Sequence, residues 1–187
     1  MAGCITEVEM EKILSRLPRY AKIDTFIETG TFRADTISKM CNLFSNCHTI
    51  ELSHDLYDKA CQKYATTAIQ FHQGDSVKIL KTLIPKISEP AIFFLDAHWC
   101  GRESAKGNVD VPLIEEVQLI ADHPYNDLII IDDFRLFSTS NKEDWGNINV
   151  KGVLKVLRDK IPFWKRIIPR GAYSVKNDRM IIPLWKD

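Results

Sequence analysis

Residues Ile23 to Thr36 read IDTFIETGTFRADT. A short apolar run containing Ile23, Phe26 and Ile27 leads into Glu28-Thr29-Gly30-Thr31, and a helical segment follows. Glycine at such a turn lets the backbone take a positive φ and come close to a ligand. The next apolar run closes on a carboxylate, Glu51 in HTIEL. In a βαβ unit that holds a nucleoside, an acid at about this spacing accepts hydrogen bonds from the two ribose hydroxyls. The turn and Glu51 together point to a nucleoside-containing ligand.

Strand-like runs recur outward from this stretch: Ile23–Ile27, His48–Glu51, Ile69–His72, Ala91–Leu95 and Leu128–Ile131. Helical patterns separate them at Thr36–Leu43, Asp55–Tyr64, Ser76–Leu83 and Pro112–Ala121, the last with Asp110 as its expected N-cap. Strict alternation of this kind means βαβ units and a parallel sheet. AIFFL and LIII are continuously apolar, as central strands covered on both faces should be. An amphipathic helix is expected over Glu7–Leu17, ended by Pro18, and a last helix near Val150–Lys160. Trp164–Ile168 and Arg179–Leu184 then read as strands joined by residues 170–178, too short a link for a crossover helix, so they should pair antiparallel. The whole chain, 1–187, reads as one α/β domain with an N-terminal helix within residues 1–20.

With 45% hydrophobic and 27% charged residues the composition is that of an ordinary globular protein. Twenty-five basic residues balance 25 acidic ones, so no global field draws the chain to nucleic acid or membrane. The balance is uneven, though: residues 151–187 hold 10 Lys/Arg against 3 Asp/Glu. That basic end would suit an anionic small molecule, or is simply a solvated face. Five cysteines without a CxxC pair argue for a reducing compartment, and the cytoplasm is the expected location. No apolar run approaches the roughly 20 residues that span a bilayer.

In an open α/β sheet ligands sit beyond the C-terminal strand ends. Glu28, Glu51, Asp96 in FFLDAHW and Asp132-Asp133 in IIIDDF close four of the runs, and Asp75-Ser76 follows a fifth. Singly, each acid reads equally well as a helix cap or a solvated strand end. Together they repel unless something positive or hydroxyl-rich lies among them. Asp96, Asp132 and Asp133 offer hard oxygen donors suited to Mg²⁺, provided the chain turns between the adjacent aspartates. His98 is placed to take a proton from a substrate hydroxyl, or else bonds within its own loop. The polar, glycine-punctuated stretch Trp99–Asp110 reads as a substrate lid, with Arg102 and Lys106 as anion contacts. Cys100 lacks an identifiable basic partner and is a poor nucleophile candidate.

From Ile23 onward these residues resemble the class I S-adenosylmethionine-dependent methyltransferases. The resemblance implies a Rossmann-like doubly wound sheet, five parallel strands closed by an antiparallel hairpin, of order 3-2-1-4-5-7-6. It assigns Glu28, Thr29, Gly30 and Thr31 to the methionine end of the cofactor, Glu51 to the ribose, and Asp75 and Ser76 to the adenine, with Asp96 also contacting the cofactor. LDAHW, GRESAKGNVDVPLIEEV and IIIDDFRLF are similar to small bacterial methyltransferase-like proteins. Asp96, Asp132 and Asp133 further resemble the metal triad of Mg²⁺-dependent O-methyltransferases, with His98 as base and Asp96 also counted as catalytic. A metal-assisted O-methyltransferase acting on a hydroxylated small molecule such as a sugar is the implied activity. The family's first motif usually carries more glycine than Arg33-Ala34 supply. Only 22 residues precede Ile23, so a homodimer that completes the pocket is expected. A non-catalytic nucleoside-binding protein and a metal-dependent phosphoester hydrolase are the alternatives. The absence of GxGxxG disfavours a nicotinamide dehydrogenase, and nucleic acid is not the expected partner.

Overall fold

The computed structural model describes residues 4–17, 22–98, 110–139, 144–161 and 172–185. Seven strands form one sheet: β1 (Thr25–Thr29), β2 (Asn46–Glu51), β3 (Gln70–Gln73), β4 (Ala91–Leu95), β5 (Leu128–Ile131), β6 (Ser174–Lys176) and β7 (Arg179–Pro183). Their order is β3-β2-β1-β4-β5-β7-β6. The first five run parallel, and β7 lies antiparallel to both β5 and β6. The expected strand order is therefore the observed one.

Alternation along the central strands builds two cores. Ala91, Phe93 and Leu95 of β4 face one side with Ile129 and Ile131 of β5, while Ile92 and Phe94 face the other with Leu128 and Ile130. The first face is covered by α4 (Ser76–Leu83), α5 (Leu113–Ala121) and α6 (Val150–Val156). The second is covered by α1 (Glu7–Leu14), α2 (Ile37–Met40) and, through Ala60, α3 (His54–Lys63). Phe26, Phe93 and Phe94 are fully buried, and side chains of this kind contribute about 1.5–3 kcal/mol each.

Several boundaries differ from the sequence expectation, each for a local reason. α1 ends at Leu14 rather than Leu17. Arg16 and Leu17 donate to the carbonyls of Ile13 and Leu14, three residues back, which tightens the last turn. A residue that precedes a proline, as Leu17 does, is disfavoured in a helix. α2 likewise holds four residues instead of eight, and its last turns continue through Lys39 and Met40 carbonyls. The cap of α5 is Pro112, without a side-chain bond, so Asp110 is not the N-cap. The first arm of the hairpin is Ser174–Lys176, inside the segment expected to be a loop. A two-residue turn at Asn177 (φ 49) and Asp178 (φ 64) joins it to β7. Asn and Asp tolerate this left-handed backbone, which matches the twist of paired strands. The expected strand at 164–168 lies outside the described residues. Cys4, Cys41, Cys47 and Cys61 are free thiols. No helix among the described residues is long and apolar enough to cross a membrane.

Candidate active site at the strand tips

The C-terminal tips of β1, β2, β4 and β5 bring most of the sequence-derived site residues together. Gly30 turns the chain out of β1 at φ 84, and a Cβ there would lie 2.5 Å from the backbone oxygen of Asp96. The close approach that demands glycine is thus to the neighbouring strand end, which seats the β1 turn against β4. The Gly30 and Thr31 amides both donate to the Ile50 carbonyl, at 2.9 and 3.2 Å. Phe32 and Ala34 then take positive φ (47 and 61), so Ala34 adopts a glycine-like conformation where Arg33-Ala34 replace the expected second glycine.

Glu51 is buried at the end of β2, and both its oxygens receive backbone amides: Phe32 to Oε2 and Ser53 to Oε1, each at 2.8 Å. It ties the β1 turn to the start of α3, and each oxygen keeps a second lone pair for a ligand hydroxyl. Glu28 is buried beside it and accepts from Thr49 at 2.6 Å, while Thr31 and Thr49 share a hydroxyl contact of 2.7 Å. Burial pushes the Glu28 carboxyl well above its ordinary range; the Thr49 bond opposes this, and the charges of Asp96 and Glu51 add to it. Asp75 caps α4 by accepting from the Lys78 amide at 3.0 Å, so its structural role is realised whatever else it does.

Across the β1–β4 boundary stand Asp96 and His98. The Asp96 amide donates to the Thr29 carbonyl at 3.1 Å and to its hydroxyl at 3.3 Å. His98 is held between two carboxylates, Nδ1 3.5 Å from Asp96 and Nε2 3.2 Å from Asp133. Trp145 packs edge-on against its ring with centroids 5.3 Å apart. The Asp96 side chain is a third exposed and lies near the carboxylates of Asp132 and Asp133. Burial first, and then Asp132, push its carboxyl up to about 8, against the pull of His98. Asp133 is lowered: burial works the other way, but His98 and Arg135 outweigh it.

Asp133 sits at φ 53, so the chain does turn between the two aspartates. The turn directs them to different partners. Asp132 is buried, its Oδ1 accepting from the Asp133 amide at 2.9 Å and facing Arg179 Nε at 3.3 Å. Burial raises its carboxyl, and Arg179 opposes the rise. The donor atoms of Asp96, His98 and Asp133 lie within 4.8 Å of one another. The structure therefore groups Asp96 with Asp133 and His98, and sets Asp132 beside them on Arg179. The expected lid at 99–109, with Cys100, Arg102 and Lys106, lies outside the described residues.

Sequence reasoning missed two residues of the site. Arg179 opens β7 and is buried against Asp132, Glu9 at 3.7 Å and the Phe94 ring at 5.9 Å. Glu116 comes from α5 and is buried, which pushes its carboxyl up to about 7, with Ser76 and Thr29 opposing the rise. Its signal was present, since Glu116 shares one helical stripe with Leu113, Val117 and Ile120.

No family model matches the chain, and no curated protein matches it in sequence. Solved structures do match. The N-methyltransferase NodS from Bradyrhizobium japonicum WM9 is 11% identical with a TM-score of 0.51, over 95% of this chain and 94% of NodS. An S-adenosylmethionine-dependent methyltransferase from Clostridium acetobutylicum ATCC 824 is 10% identical with a TM-score of 0.50, over 93% and 87%. A chain of the fibrillarin/Nop5p complex is 15% identical with a TM-score of 0.53, over 92% and 77%. The chain spans about half the length of two further matches, 47% of the 23S rRNA methyltransferase ErmE and 49% of Streptomyces venezuelae DesVI. At these identities the likeness is one of fold: the chain has the Rossmann-like fold of the class I S-adenosylmethionine-dependent methyltransferases.

Proposed function

We propose that this chain is an S-adenosylmethionine-dependent O-methyltransferase acting on a hydroxylated small molecule such as a sugar. The observation that carries the reading is His98 held between Asp96 and Asp133, at the strand tips and next to the Gly30 turn. Fold alone carries no chemistry. A histidine gripped by an ionised aspartate on one nitrogen, however, has the form of a general base.

Asp133 is the stronger acid of the pair, so Nε2–H donates to it, and Nδ1, 3.5 Å from Asp96, is the nitrogen that takes the substrate proton in this reading. The acceptor hydroxyl oxygen attacks the sulfonium methyl as the carbon–sulfur bond breaks. Its proton passes to Nδ1, and Asp133 stabilises the imidazolium that forms. The sulfonium is already activated, so alignment and a better nucleophile are what the protein supplies. In this reading Glu28, Thr29, Gly30 and Thr31 hold the methionine end, Glu51 the ribose, and Asp75 with Ser76 the adenine.

The tips also suit a divalent ion, Mg²⁺ in this proposal. Asp96 and Asp133 would hold it, since their oxygens already converge, and Asp132 adjoins them. Bound there it would lower the pKa of the substrate hydroxyl. Melting curves with Mg²⁺ and with a chelator test this directly: a rise in Tm that Asp96→Asn removes supports the site.

Turnover of S-adenosylmethionine against a panel of sugars and phenols tests the function. His98→Ala should lower kcat by about 100- to 10,000-fold and leave adenosylhomocysteine affinity within a few-fold. Unchanged turnover in His98→Ala would remove the base assignment. Tight cofactor binding with no transfer to any acceptor would favour a non-catalytic nucleoside-binding protein.

A further inference from the structure

Asp133 stands where a helix cap would stand, immediately before the single 3₁₀ turn Phe134–Leu136, yet its side chain makes no capping bond. An aspartate in that position ordinarily takes an extended backbone and accepts from the second or third amide of the turn it precedes. Here the second amide is that of Arg135, and it donates instead to Asp178 Oδ1 at 2.7 Å. The first, from Phe134, donates to the Asp178 carbonyl at 2.9 Å. Both amides that open the turn are thus answered from the link between β6 and β7.

Asp133 is free for other work. Its backbone is left-handed at φ 53, a conformation that disfavours side chains. Its Oδ2 lies 3.2 Å from His98 Nε2 and its Oδ1 2.5 Å from Arg135 Nη1. The same Nη1 also contacts Asp178 Oδ2. Asp178 therefore grips the segment after Asp133 through its carbonyl and both carboxylate oxygens. Stability does not explain this. The Arg135 side chain is 42% exposed, and exposed ion pairs contribute little. An aspartate capping its own turn would answer the Arg135 amide with no left-handed residue at 133.

We propose that Asp178 is a positioning residue of the active site: by capping the Phe134–Leu136 turn in place of Asp133, it leaves the Asp133 carboxylate to His98. The inference deepens the function proposed above and rests on its assignment of His98 as base with Asp133 on Nε2. Asp178 itself bonds neither the histidine nor a substrate. Without the Asp178 side chain, Asp133 relaxes to an extended backbone, turns onto the Arg135 amide and releases Nε2.

The hydrogen-bonded Nε2–H proton of His98, followed by NMR in chelator-treated buffer and assigned by its absence from His98→Gln, reports the contact without any substrate. Asp178→Gly makes the link Asn-Gly, the most favoured pair for a two-residue hairpin turn, and should melt close to the wild type. It removes the cap, so the resonance should be lost. With whichever sugar or phenol the wild type methylates, its kcat should fall about 10- to 100-fold, while acceptor KM and adenosylhomocysteine affinity stay within about threefold. Asp178→Asn keeps both an acceptor oxygen and tolerance of the left-handed turn, and should retain the resonance and recover kcat to within about threefold. A retained resonance or an unchanged kcat in Asp178→Gly overturns the inference and leaves the base assignment standing. A wild type that lacks the resonance overturns both.

Discussion

The two ends of the sheet bury ionisable groups in opposite ways. At the N-terminal end of β4 and β5, Asp127 is fully buried and each of its oxygens is answered. Its Oδ1 accepts from the Ala91 amide at 2.9 Å, its Oδ2 meets His123 Nδ1 at 2.9 Å, and its carbonyl accepts from Leu184 at 2.8 Å. His123 uses its other nitrogen on the Ile87 carbonyl at 3.0 Å, and Lys160 donates to the His123 carbonyl. A carbonyl can only accept, so Nε2 carries a proton, and the protonated ring donates to Asp127 through Nδ1 as well. At the other end Glu28, Asp96, Glu116 and Asp132 are all pushed upward by burial, and one oxygen of Glu116 is left without a partner. The positive-φ residues crowd there too: Gly30, Phe32, Ala34, Gly74, Asp133, Ser138, Asn177 and Asp178 all lie in loops at that end. Burial at the first end is complete and serves the fold. Among the described residues, burial at the second is left short of positive charge and hydrogen-bond donors, which a cationic, amine- and hydroxyl-bearing ligand would bring.

If the ends differ in this way, substitutions should separate them. Asp127→Ala strands the buried His123 ring and the Ala91 amide, and should cost about 3–5 kcal/mol of stability in urea denaturation. The fraction still folded should bind adenosylhomocysteine as the wild type does; weakened binding would mean that the ends are not independent. Gly30→Ala strikes the other end. Positive φ and the 2.5 Å approach to the Asp96 oxygen should together cost about 2–4 kcal/mol, with cofactor affinity lost in the same variant.

The pH dependence of stability divides the ends further. His123 lies above its ordinary 6.5: burial would lower it, but Asp127 and the Ile87 carbonyl more than offset that. A group whose folded pKa is raised stabilises fully below the unfolded value and loses that stabilisation as pH rises through the folded one. The His123 contribution is therefore complete below about 6.5 and falls above it. Glu116, raised by burial to about 7 from 4.5, obeys the same sign one window lower, so stability should fall as pH climbs from about 4.5 to 7. Melting curves should show Glu116→Gln flattening the lower slope, on the order of 1–3 kcal/mol by pH 7, and His123→Asn flattening only the upper. A lower slope that survives Glu116→Gln would show that the tip acid does not carry it.

Much of the fold could be read from period and punctuation alone. β4, β5 and α4 fall on their expected boundaries, because two-sided burial writes continuous apolar runs and Asp75 marks a helix start. β6 was hidden because a three-residue edge strand with two exposed side chains needs no apolar signature, whereas Trp164–Ile168 displays a strong one. Strand-end position predicted that Glu51, Asp96 and Asp133 would stand at one end of the sheet, and they do. The parting of Asp132 from Asp133 could not be read, because it depends on the single dihedral at Asp133 and on Arg179, 47 positions further along the chain. Glu116 was not singled out, although it shares a helical stripe with Leu113, Val117 and Ile120.

The most direct measurement is a calorimetric titration of the wild type and Glu51→Ala with adenosylhomocysteine. A one-to-one exothermic isotherm for the wild type, weakened at least about tenfold by Glu51→Ala, is the outcome expected if the diol is held at the end of β2. No heat and no thermal shift from the wild type, or equal affinity in the two proteins, would contradict a nucleoside seated across these strand tips.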